Sequence, residues 1–172
     1  MKNISKVLVI AAIAIVSANS SFAQASATAS ASATIVTPIT IVKVTDMNFG
    51  NVAVSATNPG TVILAPASSR TIGGTGVTLP AVTGTVAAAS FTVSGQASYT
   101  YAITLPSSCT ITDASSHTMT VNGFTSDPAT TGALSGSGSQ TLNVGATLNV
   151  SAAQPAGTYT NASGVQVTVN YN

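Results

Sequence analysis

Hydrophobic and polar residues alternate with a period of two along most of this chain, and helical periodicity is almost absent. Alternation places successive side chains on opposite faces of an extended backbone, so each alternating run predicts a half-buried β-strand. The main runs, in chain order, are 39–44, 61–64, 90–95, 99–106, 117–124, 140–152 and 164–172.

Clusters of glycine, proline, serine and asparagine separate these runs. Glycine permits positive φ and proline fixes φ, so such clusters favour tight turns. The longest clusters are GGTG (73–76), SDPATTG (126–132), SGSGS (135–139) and QPAGTY (154–159). Short strands separated by turns predict an all-β protein, and we expect an antiparallel β-sandwich.

The segment at residues 24–34, just before the first run, alternates almost entirely in small residues. Its sequence is QASATASASAT, and Ile35 continues the alternation. Three roles are open for this strip: an unpaired tether, a strand that adds to another molecule, or a first strand paired within its own domain. The apolar positions of the candidate assembly strand are Ala25, Ala27, Ala29, Ala31, Ala33 and Ile35.

Burial of these apolar side chains is too weak to hold the strip in place by itself. Each alanine methyl contributes roughly 0.8 kcal/mol and Ile35 about 2–3 kcal/mol, whereas ordering one backbone residue costs about 1–2 kcal/mol. Main-chain hydrogen bonds, at about 0.5–1.5 kcal/mol each, would have to add the rest. An assembly strand made from this strip therefore needs an open sheet edge.

The run at residues 164–172 alternates strictly. It places Val165, Val167, Val169 and Tyr171 on one face and polar residues on the other. We expect a terminal strand here, and its apolar face is the candidate acceptor for an added strand.

The first 23 residues predict a secretory signal peptide. Lys2 and Lys6 precede a short apolar run at 7–16, and Ser21 and Ala23 provide the small residues for cleavage after Ala23. The apolar run is too short to span a bilayer, so we expect no membrane insertion after cleavage. We expect an exported protein at the cell surface, outside the cell or in the periplasm. The predicted organisation is a signal peptide at 1–23, an N-terminal extension at 24–34 and a β-sandwich domain at 35–172.

Charge is scarce in the mature chain. It carries two basic and three acidic side chains, which gives a net charge of −1, and it lacks glutamate. A nucleic-acid surface needs clustered Lys and Arg, so we expect no nucleic-acid partner. The single cysteine, Cys109, can form no disulfide within the chain, and we expect a small buried side chain there.

Candidate catalytic and metal-binding groups are few. His117 is the sole histidine, and Asp46, Asp113 and Asp127 are the acidic residues. No G-x-S-x-G nucleophile motif accompanies His117. Three separated aspartates are too few for a calcium site, and one Cys with one His is too few for structural zinc. We therefore expect no enzyme activity, no metal and no cofactor.

Two terminal stretches resemble a family of secreted bacterial domains of unknown function, the DUF4402 type. They are ATIVTPITIVKVTDMNFGNV (33–52), which contains NFG at 48–50, and PAGTYTNASGVQVTVNYN (155–172). The same ends are similar to the pilins of archaic chaperone–usher fimbriae and to spore-coat-U domains. That resemblance implies an immunoglobulin-like sandwich that lacks one strand, with the gap filled by a neighbouring subunit's N-terminal extension. Many of those pilins carry a disulfide and bulkier donor segments, and this chain departs from both features.

These observations predict a non-catalytic exported structural subunit of a bacterial surface assembly, fimbria-like or matrix-like, that assembles through β-strand addition. The expected partners are further copies or other surface subunits, and the pilin resemblance adds a periplasmic chaperone and an outer-membrane usher. The alternative is a secreted or periplasmic binding module with glycans as its ligand class. Tyr99 and Tyr101 share one strand face and are the first candidates for sugar stacking, with packing in the core as the other interpretation.

Overall fold

The structure is a computed structural model that describes residues 24–172, and the predicted signal peptide at residues 1–23 lies outside the described residues. The chain divides into two units between Ile35 and Val36. In the first unit, residues 24–35 form neither strand nor helix, and all of them are exposed. Every strand of the described residues belongs to the second unit, 36–172.

Residues 24–172 contain fourteen β-strands and no helix, so the all-β prediction is confirmed. The strands are β1 (Thr40–Thr45), β2 (Asn48–Phe49), β3 (Ala53–Val54), β4 (Gly60–Leu64), β5 (Arg70–Gly73), β6 (Val77–Thr78), β7 (Val86–Ala87), β8 (Ala89–Ser94), β9 (Thr100–Thr104), β10 (Ser108–Thr112), β11 (Thr118–Asp127), β12 (Thr131–Ala133), β13 (Ser139–Val150) and β14 (Thr168–Tyr171).

β13 is the central strand of the larger sheet. The order is β1-β8-β13-β11-β10, and β4 pairs with both β13 and β5. On one side, β13 pairs with β8 along residues 139–144 and with β4 along 146–150, and on the other side it pairs with β11. β13 thus has paired strands on both sides. Its alternating Leu and Val side chains are also buried, so one of its faces is covered.

A smaller sheet of order β12-β9-β14 packs against the larger one. Phe91, Val93 and Leu142 of the larger sheet share one buried cluster with Tyr101 and Val169 of the smaller sheet. Two antiparallel sheets that enclose a common apolar layer form a β-sandwich, as the alternation predicts.

A second core cluster lies against the C-terminal half of β13. Its buried members come from β4, β6, β11 and β13 rather than from the smaller sheet. Partly buried side chains from the segment that contains the short strands β2 and β3 pack against it, among them Met47, Phe49 and Val52. This segment therefore covers the part of the larger sheet that the smaller sheet leaves open.

Arg70 fixes the NFG segment, residues 48–50, to the sandwich. Its guanidinium donates hydrogen bonds to the carbonyl oxygens of Phe49, Asn51 and Thr83. A guanidinium is always charged and presents several donors in a rigid plane, so this one side chain can bind three carbonyl groups from two separate backbone segments.

Gly50 makes this arrangement sterically feasible. Its φ is +69°, a conformation that side-chain-bearing residues rarely adopt. A Cβ atom there would overlap the carbonyl of Thr83 and crowd the side chain of Val86. The Asn48 side chain accepts the N–H of Gly50 at 2.8 Å, which stabilises the turn.

The alternating runs mark the long strands well and the last strand less well. The predicted run 140–152 corresponds to β13, whereas only 168–171 of the run 164–172 pair as β14. β14 is short because its partner strand β9 ends. Thr168 pairs with Thr104 at the end of β9, and Pro106 lies two residues further along the chain. Proline lacks an N–H, so the ladder has no donor to continue with at that position.

We expect Gly50→Ala to lower the free energy of unfolding by about 2 kcal/mol or more, because the new methyl meets backbone and the φ is unfavourable. Gly136→Ala is the matched control, since no heavy atom lies within 4 Å of its Cβ position; we expect it to change stability by less than about 0.5 kcal/mol. Urea denaturation followed by circular dichroism measures both. Equal effects of the two substitutions would contradict this role for Gly50.

Candidate assembly site at two strand edges

One long edge of β14 has no strand beside it within residues 24–172. Ile103 of β9 donates its N–H to the carbonyl of Thr130, on the side away from β14. Along an antiparallel strand, the N–H and C=O groups of successive residues point to opposite sides. Val169 lies opposite Ile103, whose N–H points away from β14, so the N–H and C=O of Val169 point away from β9. Tyr171, two residues further, does the same, and this outward row is the β14 edge.

β1 has a comparable outward row. Gly95, just after β8, donates its N–H to the carbonyl of Gly138 on the β13 side. The N–H and C=O of the preceding residue, Ser94, therefore point to the other side, toward β1. Thr40 pairs with Ser94, and the backbone groups of the next residue, Ile41, therefore point away from β8. No strand of residues 24–172 pairs with β1 on this side, and the outward row is the β1 edge.

The β1 edge and the β14 edge lie close together, one from each sheet of the sandwich; we call them the edge pair. Partly buried apolar side chains from both segments pack against the first core cluster beside the edge pair. They are Ile39, Ile41, Val165, Val167 and Tyr171. A strand added along either edge would gain main-chain hydrogen bonds and would also cover apolar surface that is now partly open to water.

The hydroxyl of Tyr171 ties the start of β1 to the end of β14. It accepts the N–H of Gln96 at 2.6 Å and donates to the carbonyl of Thr37 at 2.7 Å. The Gln96 side chain in turn accepts the N–H of Thr37 at 3.2 Å, so both backbone groups of Thr37 are held. We call this arrangement the Thr37 clasp. A Cβ at Gly95 would overlap the Tyr171 hydroxyl, which explains the glycine at that position.

The residues predicted to act in assembly lie in two places. Val165, Val167, Val169 and Tyr171 all face the first core cluster, although β14 itself begins only at Thr168. The strip positions Ala25, Ala27, Ala29, Ala31 and Ala33 are exposed and form no strand, and Ile35 is 94% exposed. The assembly roles of both sets stay predictions.

The two tyrosines considered for sugar stacking lie in different environments. Tyr101 is fully buried, donates its hydroxyl proton to the Gln140 side chain at 2.8 Å, and has a pKa raised by burial. Tyr99 is 45% exposed and packs edge to face on Tyr171, with ring centroids 5.7 Å apart. They therefore do not form a joint stacking surface.

Asp113 and His117 close the turn between β10 and β11. The His117 Nδ1 lies 2.8 Å from Asp113 Oδ2, while Asp113 Oδ1 accepts the backbone N–H groups of Ser115 and His117. Burial alone would raise the pKa of the Asp113 carboxyl, but the hydrogen bonds from His117 and Ser115 hold that pKa below its ordinary value. The pair caps the turn.

The remaining titratable groups are dispersed. Asp46 forms an exposed ion pair with Lys43 at 2.6 Å, and Asp127 lies at the end of β11 opposite Asn143. Cys109 in β10 is partly buried, and burial raises the pKa of its thiol. Within residues 24–172, no three His, Cys, Asp or Glu side chains come together as metal ligands.

No helix in residues 24–172 is long and apolar enough to cross a membrane.

Comparison with known proteins gives one match. The family model described as "Domain of unknown function (DUF4402)" matches residues 39–171, which covers nearly all of the sandwich and excludes the extension. No curated protein matches, and no solved structure matches.

We expect Tyr171→Phe to lower the free energy of unfolding by about 1–3 kcal/mol, because it leaves the Gln96 N–H and the Thr37 carbonyl without their partner. Hydrogen exchange at the Gln96 amide should become faster. Tyr99→Phe is the control, because it removes a hydroxyl from the neighbouring, 45% exposed ring and keeps the edge-to-face contact with Tyr171. Similar exchange rates at Gln96 in both variants would be evidence against the clasp.

The lowered pKa of Asp113 predicts that part of the protein's stability is lost in acid. Its pKa is lowered on folding, so its stabilising contribution is complete above the unfolded carboxyl pKa, about 3.9, and is lost as the pH falls through the lower folded value. We therefore expect Asp113→Asn to reduce stability at neutral pH and to flatten the loss of stability between about pH 5 and pH 2. Asp46→Asn, at an exposed ion pair, is the control for removing one surface carboxylate and should change stability at neutral pH by no more than about 1 kcal/mol. Thermal unfolding across this pH range measures both, and an unchanged slope in Asp113→Asn would refute the assignment.

Proposed function

We propose that this chain, which belongs to the DUF4402 family of domains of unknown function, is a non-catalytic exported structural subunit of a bacterial surface assembly. The assembly is fimbria-like or matrix-like, and its subunits join by β-strand addition. The observation that carries the proposal is the edge pair, where two outward rows of backbone groups lie beside partly buried apolar side chains.

The composition of the edges supports this proposal. Isolated sheets usually protect their edge strands with charged side chains or proline. β14 carries no charge at all, and the single lysine of β1, Lys43, is paired with Asp46. Val42 and Val44 of β1 are 62% and 64% exposed. Edges of this kind favour pairing with another strand over remaining solvated.

The N-terminal extension of a second copy is the proposed occupant. The extension leaves the domain at Thr37, whose N–H and C=O are both held in the clasp. Folding back along its own β1 would need a tight turn within the sequence Ile35-Val36-Thr37-Pro38. Three β-branched residues disfavour the positive φ of hairpin turns, and Pro38 keeps Thr37 extended. These restrictions favour pairing with another molecule.

The length of the extension fits such pairing. Twelve residues, 24–35, span about 40 Å when extended, and the six residues of β1 about 20 Å. One extension can therefore cover an edge and leave residues over as a connection. Its alanine side chains contribute little burial, so the contact depends mainly on main-chain hydrogen bonds.

The similarity to archaic chaperone–usher pilins extends the proposal. On that resemblance we propose an immunoglobulin-like sandwich with one strand missing, and a periplasmic chaperone that shields the edge pair before assembly. An outer-membrane usher would then receive the subunit. Export and a surface location follow from the predicted signal peptide.

The proposal is tested by placing charge on either face of the strip in the mature chain. Ala29→Asp with Ala31→Asp charges the proposed inward face, whereas Ser30→Asp with Ser32→Asp adds the same charge to the outward face. We expect only the alanine pair to abolish assembly, because a carboxylate would then be buried without a partner. Light scattering and electron microscopy measure the assembled fraction.

A chain that begins at Ile35 provides the second measurement. We expect it to stay monomeric and to bind a synthetic peptide of residues 24–35. The proposal is wrong if that chain assembles like the mature one. It is also wrong if the mature chain is monomeric and the peptide does not bind.

A further inference from the structure

We propose that an open cleft on the larger sheet binds a segment of a neutral polysaccharide. The cleft has a volume of about 710 Å³ and lies where β13 ends between β4 and β11. This volume is in the range of known small-ligand sites, roughly 300–1,000 Å³. None of the residues that line it is charged.

The polar groups of the cleft are hydroxyls and amides. Thr118, Thr120 and Ser151 provide hydroxyl groups, each able to donate one hydrogen bond and accept others. Met119 and Val150 also border the cleft, but their side chains point to the opposite face of the sheet, where Val150 is buried in the second core cluster and Met119 packs against it. The hydroxyl groups of a sugar ring can donate hydrogen bonds to the cleft hydroxyls and accept from them.

Asn149 is one of the lining residues, and two hydrogen bonds hold its carboxamide in place. Its Nδ2 donates to the carbonyl of Thr120 at 3.1 Å and to the Asn122 side chain at 3.0 Å. Both bonds use the amide nitrogen, so they determine which end of the carboxamide is the oxygen and leave Oδ1 as a free acceptor. An oriented acceptor can bind a ligand hydroxyl without first losing rotational freedom.

Glycine backbone forms one wall. A Cβ at Gly73 would lie 2.5 Å from the Thr61 hydroxyl, and a Cβ at Gly60 would lie 2.9 Å from the Val77 nitrogen. At both glycines the space beside the Cα atom is therefore already occupied by neighbouring protein atoms, and both border the cleft.

The surroundings favour a saccharide over other ligands. The neighbouring strands β4, β13 and β11 already pair with one another, so a peptide could not add to them as a strand. An anionic ligand would find no cation in the lining, and a cationic ligand would find no carboxylate. Asp113 and His117, in the β10–β11 turn that precedes Thr118, are bound to each other.

This inference does not rest on the assembly function, because the cleft involves neither β1 nor β14. No aromatic side chain lines the cleft, so a single site should bind weakly. A polymer that reaches many assembled copies would bind more tightly through its multivalency.

The test measures binding of the mature chain to immobilised cellohexaose, xylohexaose, mannohexaose and maltohexaose, with hexagalacturonate as the acidic comparison. We expect at least one neutral hexasaccharide to bind in the millimolar range or better and more tightly than hexagalacturonate. Thr120→Val and Thr118→Val each remove one hydroxyl at nearly constant shape, and each should weaken binding about 3- to 10-fold. Thr141→Val, also in the larger sheet but outside the cleft, should leave binding unchanged.

The proposal is overturned if no neutral hexasaccharide binds at millimolar concentration, or if the acidic one binds better. It is equally overturned if both cleft variants bind like Thr141→Val while their thermal unfolding matches the wild type. Because the strip variants that abolish assembly leave the cleft intact, failure of this inference is distinguishable from failure of the assembly function.

Discussion

Unpaired backbone N–H and C=O groups at the border of a sheet are the constraint on which the rest of this structure depends. Within the larger sheet, β4, β8, β11 and β13 each have a paired strand on both sides, and β13 pairs with β8 and β4 on one side and with β11 on the other. β1 and β14 each have one side on which no strand of residues 24–172 pairs. Water satisfies such groups, but another strand does so while also removing apolar surface from solvent.

Most of the charged side chains of residues 24–172 take part in local structure. Arg70 holds three backbone carbonyls, Asp113 caps a turn together with His117, and Lys43 neutralises Asp46. Asp127 is the one further charged side chain of residues 24–172, so few charges remain that would oppose contact with a second surface. The recognition proposed for the edge pair and for the cleft would therefore depend on shape and on neutral hydrogen bonds.

The sequence predicts strand positions better than it predicts strand neighbours. Long runs with regular Leu and Val, such as β13, can be identified because one face is buried along the entire length. β10 was missed, since the sequence SCTIT contains too few large apolar residues to show an alternation. Strict alternation also overestimated the last strand, because pairing ends where the partner strand β9 ends.

The candidate sites show the same limit more strongly. That β1 and β14 both have an open side depends on the order of strands in two sheets, which alternation does not encode. The cleft combines segments near residues 60, 73, 119 and 150 that only the β4–β13–β11 pairing brings together. Likewise, the NFG motif carries a family resemblance in the sequence, but its partner Arg70 lies about twenty positions later and is revealed only by the fold.

The Thr37 clasp also determines how mechanical load would enter the domain. A pull on the extension reaches the fold first at Thr37, where Gln96 and the Tyr171 hydroxyl hold both backbone groups. Beyond that point, β1 is antiparallel to β8, so tension along its axis acts on the whole row of hydrogen bonds together, in shear. Tension in a chain of joined subunits would thus be carried by the ends of both sheets instead of by one strand peeling away.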